Sequence, residues 1–173
     1  MSRTLIAAVT AMAVLSTSAP AQDVSYDFDK SADFSSVHDY TWVRGTPVND
    51  ELSHKRVVEA IETQLAAKGL RQADGRGNAD VLIAYHAVFA RDLAIHGMSS
   101  GWGGYRLSRT GTARAEQVVV GTLVVELIDA KTGSTVWRGI ATRDVDVTAT
   151  PDKREKNINQ AAEKLFKHYP PAS

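Results

Sequence analysis

The run Gly121-Thr-Leu-Val-Val-Glu-Leu-Ile-Asp-Ala-Lys-Thr-Gly-Ser-Thr-Val-Trp-Arg-Gly139 constrains the fold more than any other stretch. Two arms rich in β-forming residues flank Asp129-Ala-Lys-Thr-Gly133, a turn-forming segment, and together they predict a β-hairpin. A chain organised around such a hairpin must bury one face of a sheet, so the rest of the sequence is read for strands that extend it and helices that cover it.

Val24-Ser-Tyr-Asp-Phe-Asp29 alternates strictly and places Val24, Tyr26 and Phe28 on one face of a half-buried strand. A short strand is expected at Tyr40-Thr-Trp-Val43. Between Asn49 and Lys68 the period becomes helical, with Val57, Val58, Ile61 and Leu65 along one side, Asn49 as N-cap, Gly69 as the left-handed terminator and Leu70 folding back on the last turn. Asp80 to Asp92 reads as a strand, with Val81, Ile83, Tyr85 and Phe89 on one face and Leu82, Ala84, His86 and Val88 opposite. Glu116 to Ile128 and Thr135 to Val147 are the hairpin arms, with Asp144 and Asp146 turned to solvent. Thr150 caps a last helix, Pro151 suits its first position, and Ile158, Ala161, Ala162, Leu165 and Phe166 form its buried stripe before Pro170-Pro171 stops it.

The resulting order, β-β-α-β-β-β-α, predicts an α+β domain: a mainly antiparallel five-stranded sheet with two helices packed on one face. Ile95 to Ala115 holds Gly97, Gly101, Gly103, Gly104 and Gly111 and is expected to be a long loop joining two strands.

Arg3, the apolar stretch Leu5 to Leu15 and the small residues Ala19-Pro20-Ala21 have the form of a secretory signal peptide over residues 1–21, cleaved near Ala21-Gln22. At about a dozen residues the apolar stretch is shorter than the roughly 20 that span a bilayer. Residues 22–173 then form a single domain, large enough to hold a core without a metal or disulfides. The chain contains no cysteine, so it lacks the thiol that bacterial lipoproteins acylate, and a soluble periplasmic or secreted product without a lipid anchor is expected. Of 20 basic residues, loss of Arg3 leaves 19 against 20 acidic ones. This near neutrality, with no basic stripe, argues against nucleic acid as a partner.

Residues that could carry chemistry are few. Gly97-Met-Ser-Ser-Gly101 matches the Gly-x-Ser-x-Gly elbow that exposes a nucleophilic serine, here Ser99, but no helix pattern follows it as that geometry requires. None of His38, His54, His86, His96 and His168 is paired at the three- or four-residue spacing that sets two ligands on one helix face. His86 lies mid-strand among apolar neighbours, as a neutral imidazole hydrogen-bonded within the fold would. Trp102, Tyr105 and Arg106 are of the types that dominate contact hot spots, and equally of the types that shield a sheet edge. Trp42 and Trp137 belong to the fold. Asp152 with Lys156 and Glu163 with Lys167 are surface i,i+4 pairs. No catalytic, metal or cofactor-binding residue, and no cofactor, is assigned.

Taken together, Tyr26-Asp-Phe-Asp29, Ala32-Asp-Phe34, Tyr40-Thr-Trp42, Leu65-Ala-Ala-Lys-Gly-Leu70, Ala79-Asp-Val-Leu-Ile-Ala-Tyr-His86, Gly121 to Ala130 and Val136-Trp-Arg-Gly139 resemble the bacterial envelope family called domain of unknown function 4136, over nearly the whole mature chain. The resemblance implies an exported or lipid-anchored envelope protein of undetermined activity and brings no catalytic residues with it. This chain departs from the lipoprotein-like members by lacking the lipobox cysteine. The expectation is a non-enzymatic periplasmic binding or interaction module that contacts another envelope protein, a glycan or a peptide through the glycine-rich loop and the exposed sheet surface. Two alternatives stand beside it. One is a small serine hydrolase using Ser99 with His86 or His96. The other is a carrier of an apolar ligand, which needs a cavity between sheet and helices where packed side chains are expected.

Overall fold

A computed structural model describes residues 22–96 and 114–171. The elements are β1 (Asp23–Phe28), β2 (Asp39–Trp42), α1 (Glu51–Ala67), β3 (Arg71–Gln72), β4 (Val81–His96), β5 (Arg114–Asp129), β6 (Thr135–Val145) and α2 (Pro151–Phe166). They form one sheet in the order β1-β6-β5-β4-β2-β3. The fold is α+β as expected, but the sheet has six strands and is mixed. β2 runs parallel to both β3 and β4, while the β4-β5-β6-β1 side is antiparallel throughout.

The parallel pairing follows from α1. A helix between two strands of one sheet carries the chain back over the face, so the strands it joins run the same way. β3 is only Arg71–Gln72, both exposed. It is held by backbone bonds, Arg71 N to the His38 carbonyl at 2.8 Å and Ala73 N to the Tyr40 carbonyl at 2.7 Å.

Register places one residue set inward. Val24 and Phe28 of β1, Trp137 and Ala141 of β6, Leu123, Val125 and Leu127 of β5, Val81, Ile83 and Tyr85 of β4, and Tyr40 of β2 meet Val57, Ile61 and Leu65 of α1 and Ala161, Leu165 and Phe166 of α2. Both helices therefore cover the same face. Tyr26 shares that face but is 44 % exposed, its ring stacked on His168 at 4.7 Å. Phe89, expected inside, is 58 % exposed, at the end of the sheet where α1 and α2 begin.

Local signals explain the boundaries. α1 starts one residue later than expected: Asp50, not Asn49, caps it, its carboxylate accepting from Ser53 N at 2.9 Å. α1 ends as Gly69 enters positive φ, with Gly69 N bonded to the Ala66 carbonyl and Leu70 N to the Leu65 carbonyl, the two bonds of a Schellman motif. Thr150 caps α2 and Pro151 opens it. In the β5–β6 turn the Asp129 carboxylate accepts from the backbone of Lys131 and Thr132, and Gly133 supplies positive φ. Beyond Arg91, β4 pairs only with β5 among the described residues, up to His96 with Arg114. The strands thus run further into the glycine-rich stretch than its composition indicates, since backbone pairing asks for no apolar face.

Asp80 ties the sheet together at a point with no hydrophobic signature. Its carboxylate accepts from the backbone N–H groups of His38 and Asp39, both at 3.0 Å, and these bonds hold its carboxyl below the usual range. Asp80→Ala leaves both donors without this partner and should lower stability by about 1–3 kcal/mol in urea denaturation. Because the folded-state value is depressed, the stabilisation is complete above about pH 4 and fades as pH falls through the lowered value. The gap between parent and variant should therefore narrow in acid, and a gap that stays constant would contradict the clamp.

Candidate functional site: an apolar cavity beneath the helix N-termini

β2, β4 and β6 run in one direction, and α1 and α2 follow β2 and β6, so both helices begin at the same end of the sheet. There a cavity of about 340 Å³ lies between them and the sheet. α1 contributes Ser53 and Val57, and α2 contributes Arg154, Asn157, Ile158 and Ala161. The sheet contributes Ala87 and Phe89 of β4, Gly121 and Leu123 of β5, and Ala141, Arg143 and Val145 of β6. This space was expected to be filled by packed side chains. It is open because the inward positions here are small, Ala87, Gly121, Ala141 and Ala161, where the other end of the sheet carries Ile83, Leu127 and Trp137.

The rim mixes apolar and charged groups. Phe89 and Val147 border the cavity, and both are largely exposed, as is Leu52 beside Ser53. Arg143 donates to the Asn157 carbonyl at 3.3 Å, and Arg154 donates to the Val147 carbonyl at 3.0 Å. Asp146 holds Lys153 at 2.9 Å and Thr148, and these bonds bring its carboxyl down to about 2. Asp144 and Asp146 are exposed as expected.

Among the described residues neither α1 nor α2 covers the opposite face of the sheet, although Leu82 and Ala84 on it are buried. Across it His86 Nε2 lies 3.3 Å from Glu126, whose other oxygen accepts from Arg138 Nε at 2.8 Å, and His86 Nδ1 lies 3.0 Å from Thr46 Oγ1. His86 is thus engaged by groups on two segments, as a histidine satisfied within the fold should be. The row links strands β4, β5 and β6. His54 Nδ1 meets the Tyr85 hydroxyl with the rings stacked, and the Trp42 indole N–H donates to Glu62 at 2.9 Å. Trp137 is wholly buried.

Ser99, Trp102, Tyr105 and Arg106 lie outside the described residues, as do the expected signal peptide and most of the glycine-rich loop. Among the described residues there is no group of three or more His, Cys, Asp or Glu side chains placed to hold a metal. No helix among them is long and apolar enough to cross a membrane. Sequence reading missed the cavity residues themselves; the only signal was the clustering of alanine and glycine at inward positions.

A family model described as a domain of unknown function, DUF4136, matches residues 24–171. The chain belongs to this family. A solved DUF4136 family protein from Bacteroides thetaiotaomicron is similar at 15% identity and a TM-score of 0.52, over 86% of this chain and 96% of that one. A PDZ domain protein from Parabacteroides distasonis gives 15% identity and a TM-score of 0.54 over 88% of this chain but only 37% of its own, so the DUF4136 chain spans little more than a third of it. A PelC dodecamer from Paraburkholderia phytofirmans gives 14% identity and a TM-score of 0.51 over 84% and 95%. At these identities the likeness concerns the fold alone. No curated protein matches the sequence.

Proposed function

We propose that this DUF4136 chain is a non-enzymatic binding module of the bacterial envelope, periplasmic or secreted, that seats a small apolar molecule between its helices and its sheet. The cavity carries the reading. Its volume of about 340 Å³ falls within the roughly 300–1,000 Å³ of small-molecule sites, and its walls are mainly aliphatic with a few polar groups at the rim. The envelope location rests on the leader-like pattern of residues 1–21 and on the resemblance to envelope proteins. A second reading, contact with another envelope protein, is favoured by the exposed Val88 on the opposite face of the sheet and by the dodecameric state of PelC, which shares the fold.

The test is uptake of the neutral fluorescent probe N-phenyl-1-naphthylamine by the purified protein. Saturable uptake is expected, and Ala87→Leu, which extends a side chain into the cavity, should weaken it by about tenfold or more. Filling a cavity commonly stabilises a fold, so the variant should melt at the same temperature or higher. Uptake that is absent, or unchanged in the variant, would remove the cavity as a binding site.

A further inference from the structure

Resting on that reading, we infer that the cavity's ligand is a single-chain amphiphile with an anionic head, its apolar body among Val57, Leu123, Ala141 and Ile158 and its head between Arg143 and Arg154. The two guanidinium groups line the same cavity as the aliphatic side chains, one from β6 and one from the second turn of α2. Each is steadied by one hydrogen bond to a backbone carbonyl, and among the described residues neither has a carboxylate within ion-pair distance. A guanidinium has five N–H donors, so most of each fork is left for another acceptor.

Three carboxylates, Asp50, Asp144 and Asp146, line the same cavity, and two of them are engaged by other groups. Asp146 is taken by Lys153. Asp50 is spent on the α1 N-terminus, its carboxyl held low chiefly by Ser53 and only lastly by Arg154. Asp144 lines the cavity's edge, but side chains alternate along β6, so its carboxylate leaves the strand on the face opposite to Arg143. α2 opens with the neutral cap Thr150, and Asp152 in its first turn offsets part of the helix's positive end, so the cation there is Arg154 itself. An apolar floor with cations at its edge fits a molecule that is greasy at one end and anionic at the other. The volume lies at the small end of the range for ligand sites, which suits one chain rather than two.

The experiment displaces N-phenyl-1-naphthylamine from the purified protein with dodecanoate, dodecyl phosphate, dodecan-1-ol and dodecyltrimethylammonium, each below its micelle concentration. At least one of the two anions should displace the probe at about one-tenth the concentration of the alcohol, or less, and the cation should be weakest. Whichever anion binds tighter identifies the head as carboxylate or phosphate. In the Arg143→Gln/Arg154→Gln double variant the anion's advantage should fall below about threefold while the alcohol binds as before. Alcohol or cation binding as tightly as both anions in the parent protein would overturn the anionic head and leave the apolar cavity standing. Failure of the parent to take up the probe at all would overturn both. The comparison among ligands in the parent needs no variant to fold.

Discussion

Trp137→Ala should remove about 3–5 kcal/mol of stability, a large part of the roughly 5–15 kcal/mol that holds a domain of this size. The side chain is wholly buried at the centre of the covered face of β6. Its ring stacks on Phe166 with centroids 5.6 Å apart and meets Tyr169 edge-on at 5.5 Å, so it joins α2 and the segment after it to the sheet. Gly139, two residues along the same face, completes the fit: a Cβ there would lie 2.5 Å from the indole and 2.7 Å from Leu165. Helix, indole and bare glycine form one interlocked contact, and truncating the indole leaves a hole that the surrounding sheet cannot close. The indole nitrogen, though buried, has no hydrogen-bond partner among the described residues. Trp137→Phe keeps an aromatic ring on Phe166 and removes that unpaired N–H, a group that costs about 1–3 kcal/mol when left unsatisfied. Urea denaturation should therefore rank parent and Trp137→Phe close together, with Trp137→Ala far below. Equal losses for the two variants would show that the ring contacts do not carry the stability.

Elements announced by side chains were readable in the sequence. Asp129 and Gly133 marked their turn, Gly69 and Leu70 the end of α1, Thr150 and Pro151 the start of α2, and the stripe from Ile158 to Phe166 its buried side. Features made by the backbone alone were not. β3 has two residues, too few for any periodicity, and both face solvent. The parallel placement of β2 comes from the route of α1, which no local pattern records. Asp80 reads as an ordinary strand-edge acid until its two N–H partners, 41 and 42 residues earlier, are brought beside it.

The cavity was hidden for a different reason. Periodicity identifies which residues point inward but not whether their volumes add up to a filled interior. Of Ala87, Gly121, Ala141 and Ala161 the helical stripe marks only Ala161 as buried, and only the register that sets all four around one space makes them a site. The same register gathers Arg143, on β6, and Arg154, on α2, at its edge. The glycines at this end divide into those that make way for a neighbouring side chain and those that let backbones touch. Gly121 is of the first kind, the room being taken by the Val145 side chain, 2.6 Å from where a Cβ would lie. Gly45 is of the second.

Gly45→Ala should destabilise the domain by about 2–4 kcal/mol and weaken probe uptake at the same time, because a methyl group there has no space and no neighbour that can yield. An ideal Cβ at Gly45 would sit 2.0 Å from the Tyr85 carbonyl oxygen and 2.9 Å from its carbon. Those are backbone atoms in the middle of β4, paired to β5 through Val125. Gly45 has no positive φ, so the penalty is steric rather than conformational. To make room, the segment following β2 must lift. It then loses Thr46 N to the Tyr85 carbonyl, Ala87 N to the Thr46 carbonyl and the Thr46 hydroxyl on His86, bonds worth about 0.5–1.5 kcal/mol each. Val48, three residues on, forms part of the cavity wall, so lifting this segment also opens the site. Gly77→Ala is the control: a Cβ there meets nothing within 4 Å, its φ is not positive, and the change should stay within about 0.5 kcal/mol of the parent. The two single-methyl substitutions, measured side by side in urea, separate close backbone approach from any general dislike of alanine in loops. A Gly45→Ala protein as stable as Gly77→Ala would mean that this segment does not press on β4 and that the wall of the cavity is not where the geometry puts it.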